Sequence, residues 1–347
     1  MAERFSIFPL CQPTYEGELV DVEKIRAICS NTLSENPPED RALAWLNMLQ
    51  VYPRNPVNWA QTQEQALSLY QIFIQEYGLE NWHQRVFPPY VKKEAFKVEN
   101  NALMNVIHGD IVRTGRHIYF LPPEDIPEGC NPKDIQAPFT YHIRRLERIL
   151  YVFGMQNPSL SYMQGYNELI VPLYYVLVQA KSMFHDDYLL IEALTYTMFQ
   201  FLLTNTDIQL FYTTKDQSST IVSQLQIFEN LMKVFIPQTH KLLTSLNIFP
   251  LLYAYRWYNL LFAQEHDLPV LLMVWDSLFS HIEELIEYAF YIGIAQVKEV
   301  APQLDPTSFA KSVKILQNLT IPNALSIVKD ANMMWAERKE KLGKNKK

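Results

Sequence analysis

A chain of 347 residues with 48% hydrophobic, 13% aromatic and only 19% charged residues can bury a sizeable core, in one large domain or two lobes, and is not disordered. Its net charge of −7 argues against nucleic acid as a primary partner, because neutralising phosphates needs a basic surface. Only nine glycines occur, with no G-x-x-x-x-G-K-[ST] or G-x-G-x-x-G run, so the chain is not built to cradle nucleotide phosphates itself.

Residues 1–35 read as a peripheral lead-in, with a short helix around Val22, Ile25, Ile28 and Cys29. Pro38-Glu39-Asp40 starts a helix carrying Ala42, Trp45, Leu46 and Leu49 at helical spacing. A further helix, from about Gln61 to Tyr77, places Ala66, Leu69, Tyr70, Phe73 and Tyr77 on one face. Leu103, Val106, Ile107, Asp110 and Ile111 mark the next, which gives way at Thr114-Gly115. A connection with Pro122, Pro123, Pro127, Pro132 and Pro138 follows, long for a compact domain. Ile143, Leu146, Leu150 and Phe153 restore a helical stripe, and Arg144, Arg145, Glu147 and Arg148 read as its charged outer side.

Beyond Pro172 helix follows helix. Asp186 or Asp187 caps one that runs through Leu203, and Val222, Leu225, Phe228, Leu231 and Phe235 define the next. Pro250, Pro269, Pro306 and Pro322 read as first-turn prolines, with Asp305-Pro306 as a cap-plus-first-turn pair. Arg338 to Lys347 reads as a Lys-rich tail fraying into solvent. No period-2 strand pattern occurs, so the expected class is all-α. The expected division is a lead-in (1–35), an N-terminal lobe (36–180), a C-terminal lobe (181–335) and a tail (336–347).

Cys11, Cys29 and Cys130 share no metal-like spacing and read as reduced thiols of a cytoplasmic protein. The apolar run Leu169–Val178 is interrupted by Pro172 and falls short of the roughly 20 residues that span a bilayer, and the N-terminus lacks a signal-peptide core. No His pair has metal-helix spacing, Glu283, Glu284 and Glu287 read as a solvated face, and no nucleophile elbow is present.

Two stretches carry chemistry. In Ser161-Tyr162-Met163-Gln164-Gly165-Tyr166-Asn167, Ser161-x-x-Gln164 fits a capping box, the commoner meaning on spacing alone. That leaves Gly165 unexplained, since glycine is poor inside a helix and more useful where another backbone comes close. In Ile107-His108-Gly109-Asp110-Ile111-Val112-Arg113-Thr114, Asp110 and Arg113 at i and i+3 fit a surface ion pair. An arginine at a helix end, steadied by an aspartate, also suits a partner's phosphate oxygens.

Together, Ile107-x-x-Asp110-x-x-Arg113-Thr114 and the later Tyr162-x-Gln164-Gly165 resemble the paired signature of the TBC-domain family, the GTPase-activating proteins for Rab-type small GTPases. Arg41 to Trp45, Arg256-Trp257 through Phe262, and Trp275-Asp276 resemble the family's flanking elements. The resemblance covers roughly residues 36 to 300. It implies a wholly helical, two-lobed domain with both motifs in the N-terminal lobe. It also implies an arginine finger, Arg113, and a glutamine finger, Gln164, acting in trans. Asp110 and Thr114 would support the first, and Tyr162, Gly165 and Asn167 the second. GTP and Mg²⁺ would then belong to the partner, so no cofactor of its own is expected, and the chain would activate a catalyst rather than be an enzyme. The implied place is the cytoplasm, with recruitment to endomembranes through partners and a role in vesicle trafficking. A non-catalytic Rab-binding effector or scaffold with the same fold is the alternative. One departure is Met273-Val274 before Trp275-Asp276, where the family usually carries an arginine, which puts a structural salt bridge in doubt.

Overall fold

In a computed structural model, residues 6–13, 15, 17–87, 92–212 and 217–344 are described, and among them there are helices and connections but no strands. The α-helices are α1 (Val22–Cys29), α2 (Pro38–Met48), α3 (Trp59–Glu76), α4 (Asn101–Arg113), α5 (Gly115–Ile118), α6 (Thr140–Gln156), α7 (Tyr166–Gln179), α8 (Tyr188–Asn205), α9 (Gln217–Phe235), α10 (Pro237–Ser245), α11 (Tyr255–Asn259), α12 (Leu268–Ser280), α13 (Leu285–Val300), α14 (Phe309–Gln317) and α15 (Ala324–Lys344). The fold is all-α.

The chain forms two compact units, one of residues 1–21 and 36–202, the other of 22–35 and 203–347. The boundary thus falls inside α8 rather than at 180, because Glu192 of α8 is committed to Arg148 of the first unit. Nor is 1–35 one lead-in. Asp40, fully buried, accepts the backbone N–H groups of Ser6 at 2.6 Å and Phe8 at 2.7 Å in the first unit. Leu33 N–H donates to the buried Asp276 at 2.9 Å in the second.

The first unit is built around α6, which packs against α3, α4 and α7. The expected charged face of α6 does not exist. Arg144, Arg145, Glu147 and Arg148 are all buried, because each finds its counter-charge inside. Arg144 donates to Glu147 (2.5 Å), which also meets His108 Nδ1 (2.8 Å) and the Trp82 indole (3.1 Å). Arg145 grips Glu124, and Arg148 makes a two-pronged pair with Glu192 at 2.8 and 2.6 Å. Tyr70 O–H donates to that same carboxylate at 3.0 Å. The proline-rich connection is held as well: Glu124 N–H donates to Pro138 C=O at 2.8 Å, and His142 Nε2 lies 2.9 Å from both Glu124 and Pro122 C=O.

In the second unit α13 lies against α9, α12 and α15, and α1 against α12. Arg256 pairs with Glu265 at 2.6 Å, and the buried Trp275 donates to Leu261 C=O at 2.8 Å. Glu283, Glu284 and Glu287 are not merely solvated: they pair with Arg26, Lys339 and Arg338. The last two pairs hold α15, so helix continues to Lys344 instead of fraying from Arg338; residues 345–347 lie outside the described part. Asp187 caps α8, accepting Leu189 N–H at 2.8 Å. Pro250 and Pro269 sit in first turns, but Pro306 and Pro322 precede theirs. Ser308 caps α14 through Lys311 N–H, while Asp305 takes Thr307 N–H.

Truncating Arg148 leaves the Glu192 charge buried, so Arg148→Ala is expected to cost about 3–5 kcal/mol. Tyr70→Phe removes one hydrogen bond to the same carboxylate and should cost about 1–2 kcal/mol. Equal losses in urea denaturation would contradict this account of the α6 charges. A second test is acidic. Burial would raise the Glu124 carboxyl, but hydrogen bonds from His142 and Arg145, and their charges, outweigh it and hold the group at about 2, below its ordinary 4.5. A depressed carboxyl stabilises the fold above its unfolded value and loses that contribution as pH falls through its folded one. The melting-temperature gap between wild type and Glu124→Gln should therefore be full at pH 5–7 and shrink steadily below about 4.5.

Candidate functional site

α4 starts at a side-chain cap, where Asn100 Oδ1 accepts Leu103 N–H at 3.0 Å, and ends at Arg113. Its inner face is Met104, Ile107 and Ile111, all fully buried, with His108 and Asp110 buried beside them. That stripe fixes the rotation of the helix and so where Arg113 points. A cation suits this end, where unpaired carbonyls leave partial negative charge. One of those carbonyls, of Val112, accepts the Gln136 side-chain amide at 2.7 Å. Gln136 lies in the proline-rich connection and carries no motif signal, yet it ties that connection to the turn before Arg113.

The Asp110 carboxylate is divided between two donors. Oδ1 takes Arg113 Nη2 at 2.5 Å and Oδ2 takes the Tyr162 hydroxyl at 2.8 Å. Asp110 is only 4% exposed, whereas the Arg113 side chain is 68% exposed. Burial, then the Asp110 charge, push the Tyr162 hydroxyl far above its ordinary range, so it remains a donor. Thr114 donates to Asp110 C=O at 2.9 Å and accepts from Asn167 Nδ2 at 2.7 Å. Asn167 Oδ1 accepts Gly165 N–H at 3.1 Å, which also fixes the orientation of the amide. Of the seven residues singled out, Asp110, Arg113, Thr114, Tyr162, Gly165 and Asn167 thus form one continuous hydrogen-bonded set.

Gln164 is different. The capping box does not form. α7 begins at Tyr166 with Gly165 as its N-cap, and Ser161 has φ +49, outside the extended region an N-cap occupies. Gln164 stands before the helix, exposed, with no side-chain hydrogen bond among the described residues. Gly165 has a conformational role. Its φ of +107 is left-handed backbone that side chains rarely adopt, and this turns the chain from Gln164 into α7. A close approach also occurs at Gly154 of α6, where an added Cβ would stand 3.2 Å from Leu103 and 3.5 Å from Tyr162 N.

The result is two exposed polar side chains, a permanently charged guanidinium and an amide with both donor and acceptor, flanking one buried polar lattice. Among the described residues no group of His, Cys, Asp or Glu is disposed to hold a metal ion, and no helix is long and apolar enough to cross a membrane.

The model of the Rab-GTPase-TBC domain family matches residues 41–304. Among characterised relatives, TBC1 domain family member 13 of Homo sapiens is 26% identical over 208 residues, 60% of this chain and 49% of its own. GTPase-activating protein gyp7 of Schizosaccharomyces pombe is 26% identical over 267 residues, 74% of this chain and 31% of its own. The chain therefore spans about half or less of the length of these relatives. The solved Ypt/Rab-GAP domain of Gyp1p shares the fold at 18% identity, with a TM-score of 0.70 over 96% of this chain and 98% of that one. Both candidate motifs and the Trp275-Asp276 element lie inside the matched region, and the chain belongs to the Rab-GTPase-TBC domain family.

Proposed function

We propose that the chain is a GTPase-activating protein for a Rab-type small GTPase, with Arg113 as arginine finger and Gln164 as glutamine finger. The observation that carries this is the contrast at the site: buried Asp110, Thr114 and Asn167, joined by the half-buried Tyr162, with Arg113 and Gln164 exposed at the edge. Membership of the family supports it, as does the name of the relative gyp7, a GTPase-activating protein.

GTP hydrolysis spreads charge over the transferring phosphoryl group, and an arginine supplied in trans stabilises it. On docking, Arg113 exchanges the Asp110 oxygen for phosphoryl oxygens, and Asp110, still held by Tyr162, keeps the base of the side chain aligned. Gln164 can accept from the attacking water while donating to a neighbouring oxygen. GTP and Mg²⁺ are brought by the GTPase, so this chain holds no cofactor of its own and activates the partner's catalyst. The reading places the protein in the cytoplasm, recruited to endomembranes through its partners and acting in vesicle trafficking.

Single-turnover GTP hydrolysis with a panel of Rab proteins tests it. At least one should be accelerated, and Arg113→Ala should reduce that acceleration by about 10³-fold or more. Gln164→Ala should reduce it comparably without changing thermal stability. If both variants retain wild-type acceleration, the dual-finger mechanism is wrong. Gly165→Ala forces a side chain into left-handed backbone, about 1–2 kcal/mol unfavourable. It should slow turnover by displacing Gln164 while leaving GTPase binding within a few-fold, and a loss of binding equal to the loss of rate would contradict that split.

A further inference from the structure

The proline-rich connection between α5 and α6 supplies no group to the proposed chemistry, yet it is built onto the end of α4. Gln136 holds the carbonyl of Val112, one residue before Arg113. The turn that carries Gln136 is closed by Asp134, whose carboxylate accepts Gln136 N–H and whose carbonyl accepts Ala137 N–H, both at 3.0 Å. Inside that turn stands Ile135, 69% exposed.

On the other side, Arg113 leads through Thr114 into α5, and Tyr119 follows its last turn. The Tyr119 ring lies across Gly115, where an added Cβ would stand 2.9 Å from its hydroxyl and 3.0 Å from its ring edge. The ring also meets Phe139, with centres 5.6 Å apart. It is nevertheless 40% exposed. Phe139 N–H donates to Gln136 C=O at 2.9 Å, which joins the two segments.

Single apolar side chains on a surface are ordinary. These two differ in being fixed before anything binds, Tyr119 by Gly115 and Phe139, Ile135 by its β-branch and the closed turn. A side chain already ordered gives up less entropy on docking, and rigid aromatic anchors dominate many protein interfaces. The occupant follows from Arg113, which projects from the same short stretch of backbone. A partner that takes its guanidinium comes down beside Tyr119 and Ile135.

We propose that Tyr119 and Ile135 form a docking contact for the GTPase, receiving an apolar surface that borders its nucleotide site and so selecting which GTPase Arg113 reaches. This rests on the GTPase-activating role proposed above, which supplies the partner. Neither residue belongs to the fingers or to the hydrogen-bonded set around Asp110, so the contact governs binding and not the chemical step.

Titration of the full chain with each Rab protein of the panel, loaded with a non-hydrolysable GTP analogue, measures binding apart from hydrolysis. For a GTPase that binds, Ile135→Asp and Tyr119→Ala should each weaken binding about tenfold or more, while Tyr119→Phe, which keeps the ring, should stay within about twofold. In GTP hydrolysis Ile135→Asp and Tyr119→Ala should raise KM by the factor seen in binding, with kcat at saturating GTPase within about twofold and thermal melts unchanged. Unchanged binding in either variant overturns the contact and leaves the proposed function standing. A fall in kcat with KM unchanged overturns it as well, by placing the residue in the chemical step. A dimer of the free chain in sedimentation that Ile135→Asp dissolves does the same, by making a second copy the occupant. If Arg113→Ala keeps full acceleration while both docking variants still weaken binding, the finger assignment falls and the contact stands. If no GTPase binds or is accelerated, both fall together.

Discussion

Three arginines within two turns of one buried helix set the terms for the first unit. A charge taken out of water costs several kcal/mol unless a partner meets it with good geometry, and α6 takes Arg144, Arg145 and Arg148 out of water together. Each therefore dictates where another element must go. Glu147 on α6 itself, with His108, aligns α4; Glu124 anchors the proline-rich connection; Glu192 fixes α8. Hydrophobic burial supplies much of the driving force for folding, but it tolerates small slips of one helix along another. Paired buried charges tolerate them far less, which suits a helix that aligns α4 and, through it, the functional turn.

The same logic recurs at smaller scale around Asp110. One carboxylate, one phenol, one hydroxyl and one side-chain amide satisfy one another, and the loop backbone joins them through Gly165 N–H. Nothing there is chemically reactive. Its effect is to remove freedom from two positions whose side chains remain outside, the preorganisation that a site acting by placement requires. Arg113 already has a counter-ion in this state and Gln164 has none. In the proposed mechanism the arginine is therefore exchanged between acceptors, while the glutamine only has to be presented.

Much of this was legible in the residues. Period-3.6 stripes give the helices because apolar burial is what holds them, and the ordered Asp110–Arg113 and Tyr162–Gly165 motifs point to one site although far apart in the chain. What failed to show is instructive. Arg144, Arg145 and Arg148 look like a solvated face because no local pattern reveals that Glu124 and Glu192 will arrive from elsewhere. Ser161-x-x-Gln164 has the letters of a cap, but the left-handed turn at Gly165 starts the helix later, a backbone choice that spacing does not encode. Gln136 was silent because a single amide bonding to one carbonyl carries no periodicity at all. Asp305-Pro306 reads as a helix start, yet Ser308 takes that place because its hydroxyl reaches the Lys311 N–H.

The assignment of residues 22–35 to the second unit has a consequence for how the protein is made. A ribosome releases α1 long before the residues it packs against; Leu33 waits for Asp276, 243 positions later. During that interval Ile25, Cys29 and Leu33, all buried in the finished protein, have no second unit to cover them. The first unit can close around α6 as its last helices emerge, but the second cannot fold vectorially. Its completion requires the closing of a large loop, late in synthesis, with an apolar segment exposed throughout, the situation in which nascent chains depend on chaperones.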